Sequence, residues 1–425
     1  MRIRKAASSS EASTDLATYA EGVRLMRKRS KADSKDVLGW EYQSRMHGNP
    51  GAKPRQKGEP LDWSQCKHGS WFFLPWHRMY LLQFERIIGH LTGVANFALP
   101  YWHYRNAKDV SVPAAFLDTD SSLFDGSRNF RPFPMLPAPE TWQSAATFVA
   151  LGGGVRRFPG PHRAAASGSL EQNPHNLIHG VVGGDMGGFQ SPLDPLFWIH
   201  HCNIDRLWEV WLAQPGRQNP DQRSWLRSTF DFPDPAGRQS WTCGEVASTA
   251  ATGYKYDDLS LPGSGPESLA TIEGVDDAAP PTRRDDRLEL VAASSERGSV
   301  DDTVQLSTQQ IAFNGFEEGV RTSPPPLYLR LENVGIDSGD ASSMWNVYLQ
   351  VGNRGKHIVG TIAPFGLAGL THSGGRQTLT FDISHLAGEF AAEAAGETEV
   401  TFESVYDETV HKPFWDRVAL YTTAE

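Results

Sequence analysis

The chain has 425 residues, of which 39 % are hydrophobic and 21 % are charged, and its formal net charge is −10. This length and composition predict a folded protein with a sizeable core and room for two or three domains. The acidic balance argues against nucleic acid as a partner, because phosphate binding requires a basic surface, and no apolar run approaches the roughly eighteen residues of a membrane span.

The first residues and the cysteines bear on the compartment. The start of the chain is basic but lacks the apolar stretch of a secretory signal, so we expect a cytoplasmic protein unless a leader has been removed or export depends on a partner. The three cysteines, Cys66, Cys202 and Cys243, cannot all pair with one another, and a disulfide framework is not expected.

A first histidine cluster lies in the N-terminal part of the chain. It contains His47, followed by His68 and His77 in the run HGSWFFLPWHR over residues 68–78. Apolar residues then recur with a helical period from 75 to 91, and Pro75 suits the first turn of a helix.

A second cluster begins at His175 and His179, which are four residues apart and would lie on one face of a helix opened by Pro174. A bare pair of this kind is also common on polar helix faces. Asn176 stands where a zinc protease would carry its glutamate, and this disfavours hydrolytic zinc.

The same cluster continues with His200 and His201, which precede a helical period over residues 203–212. Neighbouring helical residues point about 100° apart, so only one of the two can face a given metal. The other would support it through hydrogen bonds. Together the clusters can supply six imidazole ligands. Imidazole suits copper, so the pattern indicates a coupled pair of copper ions that binds dioxygen.

The C-terminal part has a different pattern. A polar, proline-rich and glycine-rich stretch over 259–303 predicts a linker. Apolar residues then alternate with polar ones, as expected for half-buried strands of an antiparallel β-sandwich over 304–425. The predicted strands cover residues 327–331, 345–351, 379–383, 400–402 and 418–420.

Two stretches carry a family resemblance. Residues 194–208, DPLFWIHHCNIDRLW, resemble the CuB signature of the tyrosinase and polyphenol oxidase family, and residues 68–78 are similar to its CuA signature. The resemblance covers most of residues 40–215. It implies a mainly α catalytic domain over 1–258, with a four-helix bundle around two copper ions. The implied CuA ligands are His47, His68 and His77; the implied CuB ligands are His175, His179 and His201, with His200 as the non-ligating neighbour.

The resemblance also implies roles for residues beside the ligands. Cys66 would form a thioether to His68, although a buried free thiol is the alternative. Glu171 would hold a water that it shares with Asn176, and the pair would help to take the phenol proton. From the residues alone, Glu171 is a first-turn carboxylate stabilised by the helix dipole. Gly188 stands where many plant members have a bulky gate residue, which implies an open mouth.

The last part of the chain resembles the family as well. Residues 254–256 resemble the tyrosine motif that closes the catalytic domain, and the C-terminal region resembles the domain that covers the copper mouth in latent plant enzymes. Phe365 or Leu367 would then be the plug. We also expect buried ion pairs from five charged residues near the signatures: Arg78, Glu85, Asp194, Asp205 and Arg206.

We therefore predict a type-3 copper oxidase that converts o-diphenols, and also monophenols, into o-quinones with dioxygen as co-substrate. The alternatives are an o-aminophenol or catechol oxidase without hydroxylase activity and, in another class, a haemocyanin-like oxygen carrier. A di-iron protein would require Glu-x-x-His pairs, which neither cluster has. The expected partner is a small phenol; the sequence leaves the oligomeric state open.

Overall fold

The structure is a computed structural model. It describes residues 1–48, 60, 62–104, 111–130, 141–145, 148–153, 167–188, 190–260, 288–294, 296–308, 327–336, 344–363, 365, 367, 376–392, 396–406 and 411–423. These residues form two compact units. The first comprises Met1–Cys66, Leu74–Ser127 and Phe189–Asp285, and the second comprises Lys67–Phe73, Arg128–Gly188 and Asp286–Glu425. The predicted linear boundaries at residues 258 and 304 remain predictions.

The helices in chain order are α1 (Ser13–Ala32), α2 (Trp40–His47), α3 (Phe73–Thr92), α4 (Thr141–Ser144), α5 (Phe148–Gly152), α6 (Leu177–Val182), α7 (Leu196–Leu212), α8 (Arg223–Leu226) and α9 (Ala387–Ala392). A π-helix, Glu171–Asn176, directly precedes α6. Among the described residues, none of the helices combines the length and the apolar character that spanning a bilayer would require.

The strands in chain order are β1 (Arg2–Arg4), β2 (Thr229–Asp234), β3 (Gly237–Thr242), β4 (Tyr254–Tyr256), β5 (Leu288–Ala293), β6 (Gly298–Ser299), β7 (Val304–Thr308), β8 (Leu327–Gly335), β9 (Trp345–Val351), β10 (Lys356–Ile362), β11 (Arg376–Asp382), β12 (Gly396–Ser404), β13 (Phe414–Trp415) and β14 (Arg417–Thr423).

The first unit is built on long helices with aromatic residues between them. Helices α3 and α7 confirm the two predicted helical periods. Helix α7 begins at Leu196, earlier than the period indicated, and the side chain of Asp194 accepts a hydrogen bond from the Leu196 backbone N–H at 2.8 Å. Phe84 of α3 stacks on Trp198 of α7 with ring centroids 3.5 Å apart.

A buried charge network also holds the first unit together. The carboxylate of Asp205 lies 2.5 Å from Arg78 and 3.0 Å from Arg4, and it accepts hydrogen bonds from Tyr254 and Tyr256 at 2.5 Å each. Tyr254 and Tyr256 are on β4, which pairs in parallel with β1 and so brings Arg4 to this carboxylate. The tyrosine motif is therefore a partner of the buried ion pairs.

The other three predicted ion-pair residues differ in their contacts. Glu85 binds Arg4 at 2.8 Å, as expected for a buried pair. Arg206 donates to the backbone carbonyl of Asp258 at 2.7 Å and lies 3.4 Å from its carboxylate. The carboxylate of Asp194 accepts a hydrogen bond from the Leu196 backbone N–H at the start of α7.

The C-terminal part of the second unit consists of antiparallel strands. A four-stranded sheet has the order β10-β9-β12-β7, and a larger sheet has the order β5-β14-β8-β13-β6, with β11 paired to β8. The predicted strands correspond to β8, β9, β11, β12 and β14. Strand β9 alternates buried and partly buried residues, as its period of two requires. One hydrophobic cluster contains residues of both sheets, among them Leu329 and Val347.

The chain thus has a mainly helical core and a C-terminal sheet region. The more detailed expectations, a four-helix bundle and a β-sandwich, remain predictions. Residues 261–287 of the predicted linker over 259–303 lie outside the described residues. The last part of the predicted linker contains β5 and β6. Strand β5 has the sequence LELVAA, in which leucines at 288 and 290 flank a glutamate. This short alternating pattern follows directly on the polar stretch and was included in the predicted linker.

Candidate metal centre

The first unit brings together the predicted ligands His47, His77 and His201. His47 is the last residue of α2, His77 lies in the first turns of α3, and His201 lies in α7. All three side chains are buried. The ring of His77 stacks on that of His201, with centroids 4.3 Å apart and an interplanar angle of 12°, and it lies 5.7 Å from the ring of His47.

Cys66 and His200 are neighbours of these ligands in the same unit. The buried thiol of Cys66 has its Sγ 3.4 Å from His77 Nε2. The potential ligand atoms of His47, Cys66 and His77 lie within 4.8 Å of one another. The rings of His200 and His201 are inclined by 73°, so the two adjacent histidines face different surroundings, and His200 packs 5.6 Å from Tyr104. The thioether between Cys66 and His68 remains a prediction.

The second unit brings together His68, His175 and His179. His68 precedes α3, His175 lies in the π-helix and His179 lies in α6. The ring of His175 lies 4.5 Å from that of His179 and 5.4 Å from that of His68. The helix predicted to open at Pro174 is irregular, because Asn173 has an extended conformation (φ −146°, ψ 120°) and a π-helix precedes α6.

Hydrogen bonds fix which nitrogen each of these three histidines can offer to a metal. Nδ1 of His68 lies 3.0 Å from Glu171 Oε1, Nδ1 of His175 lies 2.8 Å from Asn176 Oδ1, and Nδ1 of His179 lies 2.7 Å from the Met186 carbonyl. Each partner atom is an oxygen that accepts, so each Nδ1 donates its proton. The neutral ring then has its lone pair on Nε2, as a metal ligand requires.

Burial keeps the imidazoles of His68 and His175 neutral. It lowers the pKa of His68 to about 3 and holds the pKa of His175 well below its usual value, an effect that the neighbouring His68 reinforces. A neutral imidazole is the form that binds a metal. The donor set of buried, neutral and oriented imidazoles therefore fits copper.

Glu171 connects the π-helix to the loop that carries His68. Its carboxylate accepts from the Gly69 backbone N–H at 2.9 and 3.1 Å as well as from His68. Burial raises the pKa of Glu171 to about 8, against the opposing effect of hydrogen bonds from Gly69 and the Ser167 hydroxyl. Glu171 can therefore hold or release a proton near neutral pH. The role expected from the residues alone, a carboxylate stabilised by the helix dipole, does not include this property.

Two backbone groups of this arrangement were not found from the sequence. Gly69 has φ +62°, a left-handed conformation that favours glycine, and this turn presents its N–H to Glu171. The carbonyl of Met186 orients His179. The sequence offers one indication of the Gly69 N–H, namely a glycine directly after the predicted ligand His68. It offers no indication of the Met186 carbonyl, because a backbone oxygen does not depend on the type of side chain.

The two plug candidates lie in different places. The ring of Phe365 stacks on His179, with centroids 4.0 Å apart and an interplanar angle of 16°. It also makes edge contacts with His175 and His68 at 5.4 and 5.6 Å. Leu367 belongs instead to the hydrophobic core of the sheets. At Gly188, an added Cβ would meet nothing within 4 Å, so the backbone there borders open space.

Comparison with known proteins identifies relatives of this centre. The common central domain of tyrosinase matches residues 37–147 and 138–214. A tyrosinase from Hahella sp. (strain CCB-MM4) is 35 % identical over 286 residues, which are 57 % of this chain and 60 % of that protein. A chloroplastic polyphenol oxidase from Vitis vinifera is 32 % identical over 229 residues, 46 % of this chain and 38 % of the relative.

A solved structure extends the likeness to the C-terminal region. The structure of latent apple tyrosinase matches with a TM-score of 0.67 and 21 % identity, covering 99 % of this chain and 97 % of that chain. At this identity the match shows the fold alone. The chain spans 60 % or less of the length of the two curated relatives above.

These relatives are named a tyrosinase and a polyphenol oxidase, and the cofactor of the tyrosinase family is a pair of copper ions with dioxygen as co-substrate. The buried imidazoles of His47, His77, His175, His179 and His201 have the donor chemistry that suits that cofactor. Residues 37–214 of the chain thus match the common central domain of tyrosinase, and the chain is similar to tyrosinases and polyphenol oxidases.

Proposed function

We propose that the chain is a type-3 copper oxidase that converts o-diphenols, and also monophenols, into o-quinones with dioxygen. His47, His68 and His77 hold one copper ion in this proposal, and His175, His179 and His201 hold the other. The catalytic domain spans residues 1–258 as a four-helix bundle, and residues 304–425 form a β-sandwich after the linker. The chemistry that bound copper supplies is redox exchange with dioxygen.

The observation that carries the proposal is the ring of Phe365 on His179. A six-membered aromatic ring lies parallel to this imidazole at 4.0 Å. A phenol has a ring of the same size, so it fits the same face by the same stacking. Substrate binding then requires Phe365 to leave, which makes this residue the plug of a latent enzyme.

Glu171 and Asn176 serve the proton chemistry in this proposal. The carboxylate of Glu171 is held by Gly69 and His68, and burial places its pKa near neutrality, at about 8. An acceptor with such a pKa takes a proton from a phenol more readily than an ordinary carboxylate does. Asn176 orients His175 and, with Glu171, holds the water through which the proton passes. This pair is the reason to include monophenols, which must lose a proton before oxidation.

The test uses the copper-loaded full chain and its Phe365→Ala variant. Quinone formation is followed with catechol, tyramine and 2-aminophenol under air. We expect turnover of catechol and tyramine, with a higher rate in the variant at substrate concentrations below the wild-type KM.

Other outcomes distinguish the alternatives. Turnover of catechol or 2-aminophenol without tyramine would identify an oxidase that lacks hydroxylase activity. Reversible oxygen uptake without turnover in either protein would contradict the oxidase and favour an oxygen carrier.

A further inference from the structure

The segment that leads into His175 does not have a regular backbone. Residues Glu171–Asn176 form a π-helix, and Asn173 within it is extended. Such a segment lacks an uninterrupted ladder of helical hydrogen bonds, so its position depends on contacts with other elements. It carries Glu171, His175 and Asn176, which makes those contacts relevant to the metal centre.

Gln172 makes the clearest of these contacts. Its side chain is buried, and Nε2 donates to the Ser167 carbonyl at 2.9 Å and to the Thr380 carbonyl at 3.0 Å. Thr380 lies on β11, a strand of the C-terminal sheet region that pairs with β8. One amide group thus joins the start of the segment to a strand more than two hundred residues later in the chain.

A second contact lies next to it. Ser167 Oγ is 3.3 Å from Gln377 Oε1, and Gln377 is also on β11. On another side, Gly168 packs tightly against backbone, since an added Cβ would lie 2.2 Å from the Gly153 nitrogen. Residues 167–172 are therefore fixed between β11 and the end of α5.

We propose that Gln172 is a positioning residue for the metal centre, acting through Glu171 and His175. In this view β11 supports the copper ligands, and the C-terminal region is part of the metal site's scaffold as well as its cover. The inference rests on the proposed function, in which His175 binds copper. Without the Gln172 amide, the segment loses its own hydrogen bond to β11 and depends on the contact between Ser167 and Gln377, so His175 is held less firmly in its ligating position.

The test compares Gln172→Met with Ser384→Ala in the full chain. Methionine keeps the length of the side chain but cannot donate to Thr380. Ser384→Ala removes a hydrogen bond of similar kind in the C-terminal region, where Ser384 Oγ accepts from the Leu327 N–H at 3.0 Å. Each protein is loaded with copper(I), and the copper per chain is measured during titration with a competing copper(I) chelator.

We expect the weaker of the two copper sites to lose roughly 10- to 100-fold in affinity in Gln172→Met, the range found when a residue behind a metal ligand is removed. Ser384→Ala should keep the wild-type affinity while lowering the unfolding temperature of the copper-free protein. Copper affinities in Gln172→Met within twofold of wild type would overturn the inference and make Gln172 a contact of the fold alone. Failure of the wild type to bind two copper ions would instead contradict the proposed function.

Discussion

Replacing Phe365 by alanine tests the plug directly. The side chain is 4 % exposed, and its ring contacts three predicted copper ligands. The variant deletes the ring and leaves these histidines unchanged. A phenol would then reach His179 without displacing a side chain of the protein.

The size of the effect follows from the contacts that are lost. Burying a phenylalanine side chain contributes about 1.5–3 kcal/mol, and an aromatic pair adds about 0.5–1.5 kcal/mol. The docked state is therefore favoured by about 2–4.5 kcal/mol, which corresponds to roughly 30- to 2000-fold in the equilibrium. Only the undocked fraction binds substrate, so the apparent affinity falls by the same factor.

Steady-state kinetics with catechol is the assay. We expect the KM of Phe365→Ala to be at least about 30-fold below that of the wild type, with kcat nearly unchanged. The control is Phe402→Ala, which removes a buried ring from the C-terminal sheets, where it packs 4.4 Å from Trp415. Equal KM values in wild type and Phe365→Ala, or an equal fall in Phe402→Ala, would refute the plug.

Three further predictions concern the proton acceptor, the charge network and the gate. Burial raises the folded pKa of Glu171 to about 8, so the unfolded chain releases its proton first and stability falls as pH rises from about 4.5 to 8. Between pH 5.5 and 7.5 the copper-free wild type should lose about 2–3 kcal/mol of unfolding free energy relative to Glu171→Gln in urea unfolding, and a stability difference that does not change with pH would contradict this. Asp205→Asn leaves Arg4 and Arg78 without their shared carboxylate and should cost about 3–5 kcal/mol by the same assay, whereas Glu21→Gln, in an exposed pair with Arg24, should leave the stability nearly unchanged. Equal costs would show that the buried network contributes little. In a Phe365→Ala background, Gly188→Phe should raise the KM of a bulky phenol several-fold and leave that of catechol unchanged, since a side chain there enters open space. If Gly188→Phe changes the KM of neither substrate, or of both by the same factor, Gly188 is not a gate.

The regular elements were predictable from the sequence because their side-chain periods are strong. Helices α3 and α7 carry apolar residues at helical spacing, and the sequences of β8, β9 and β14 place apolar residues at every second position. The short strand β5 was missed because its few alternating residues follow a long polar stretch. Local patterns thus predict an element when it is long enough to show its period.

The sequence predicted which residues form the site, but it did not predict most of the groups that orient their side chains. The histidine spacing and the two signatures named the ligands, and the resemblance named Glu171. The groups that orient them include the Gly69 N–H and the Met186 carbonyl, which are backbone atoms and leave no mark in the side-chain pattern. Gln172 reaches its partner Thr380 across the chain, and Arg4 joins Asp205 only because β1 pairs with β4. Such contacts depend on tertiary structure.

The most direct test of the central claim is the metal content of the chain after loading with copper(I) and removal of the excess. We expect two copper ions per chain, falling to one or fewer when His179 is replaced by alanine, because Nε2 of this ring is oriented to bind one of them. A single copper ion in the wild type, or a preference for zinc over copper, would contradict it.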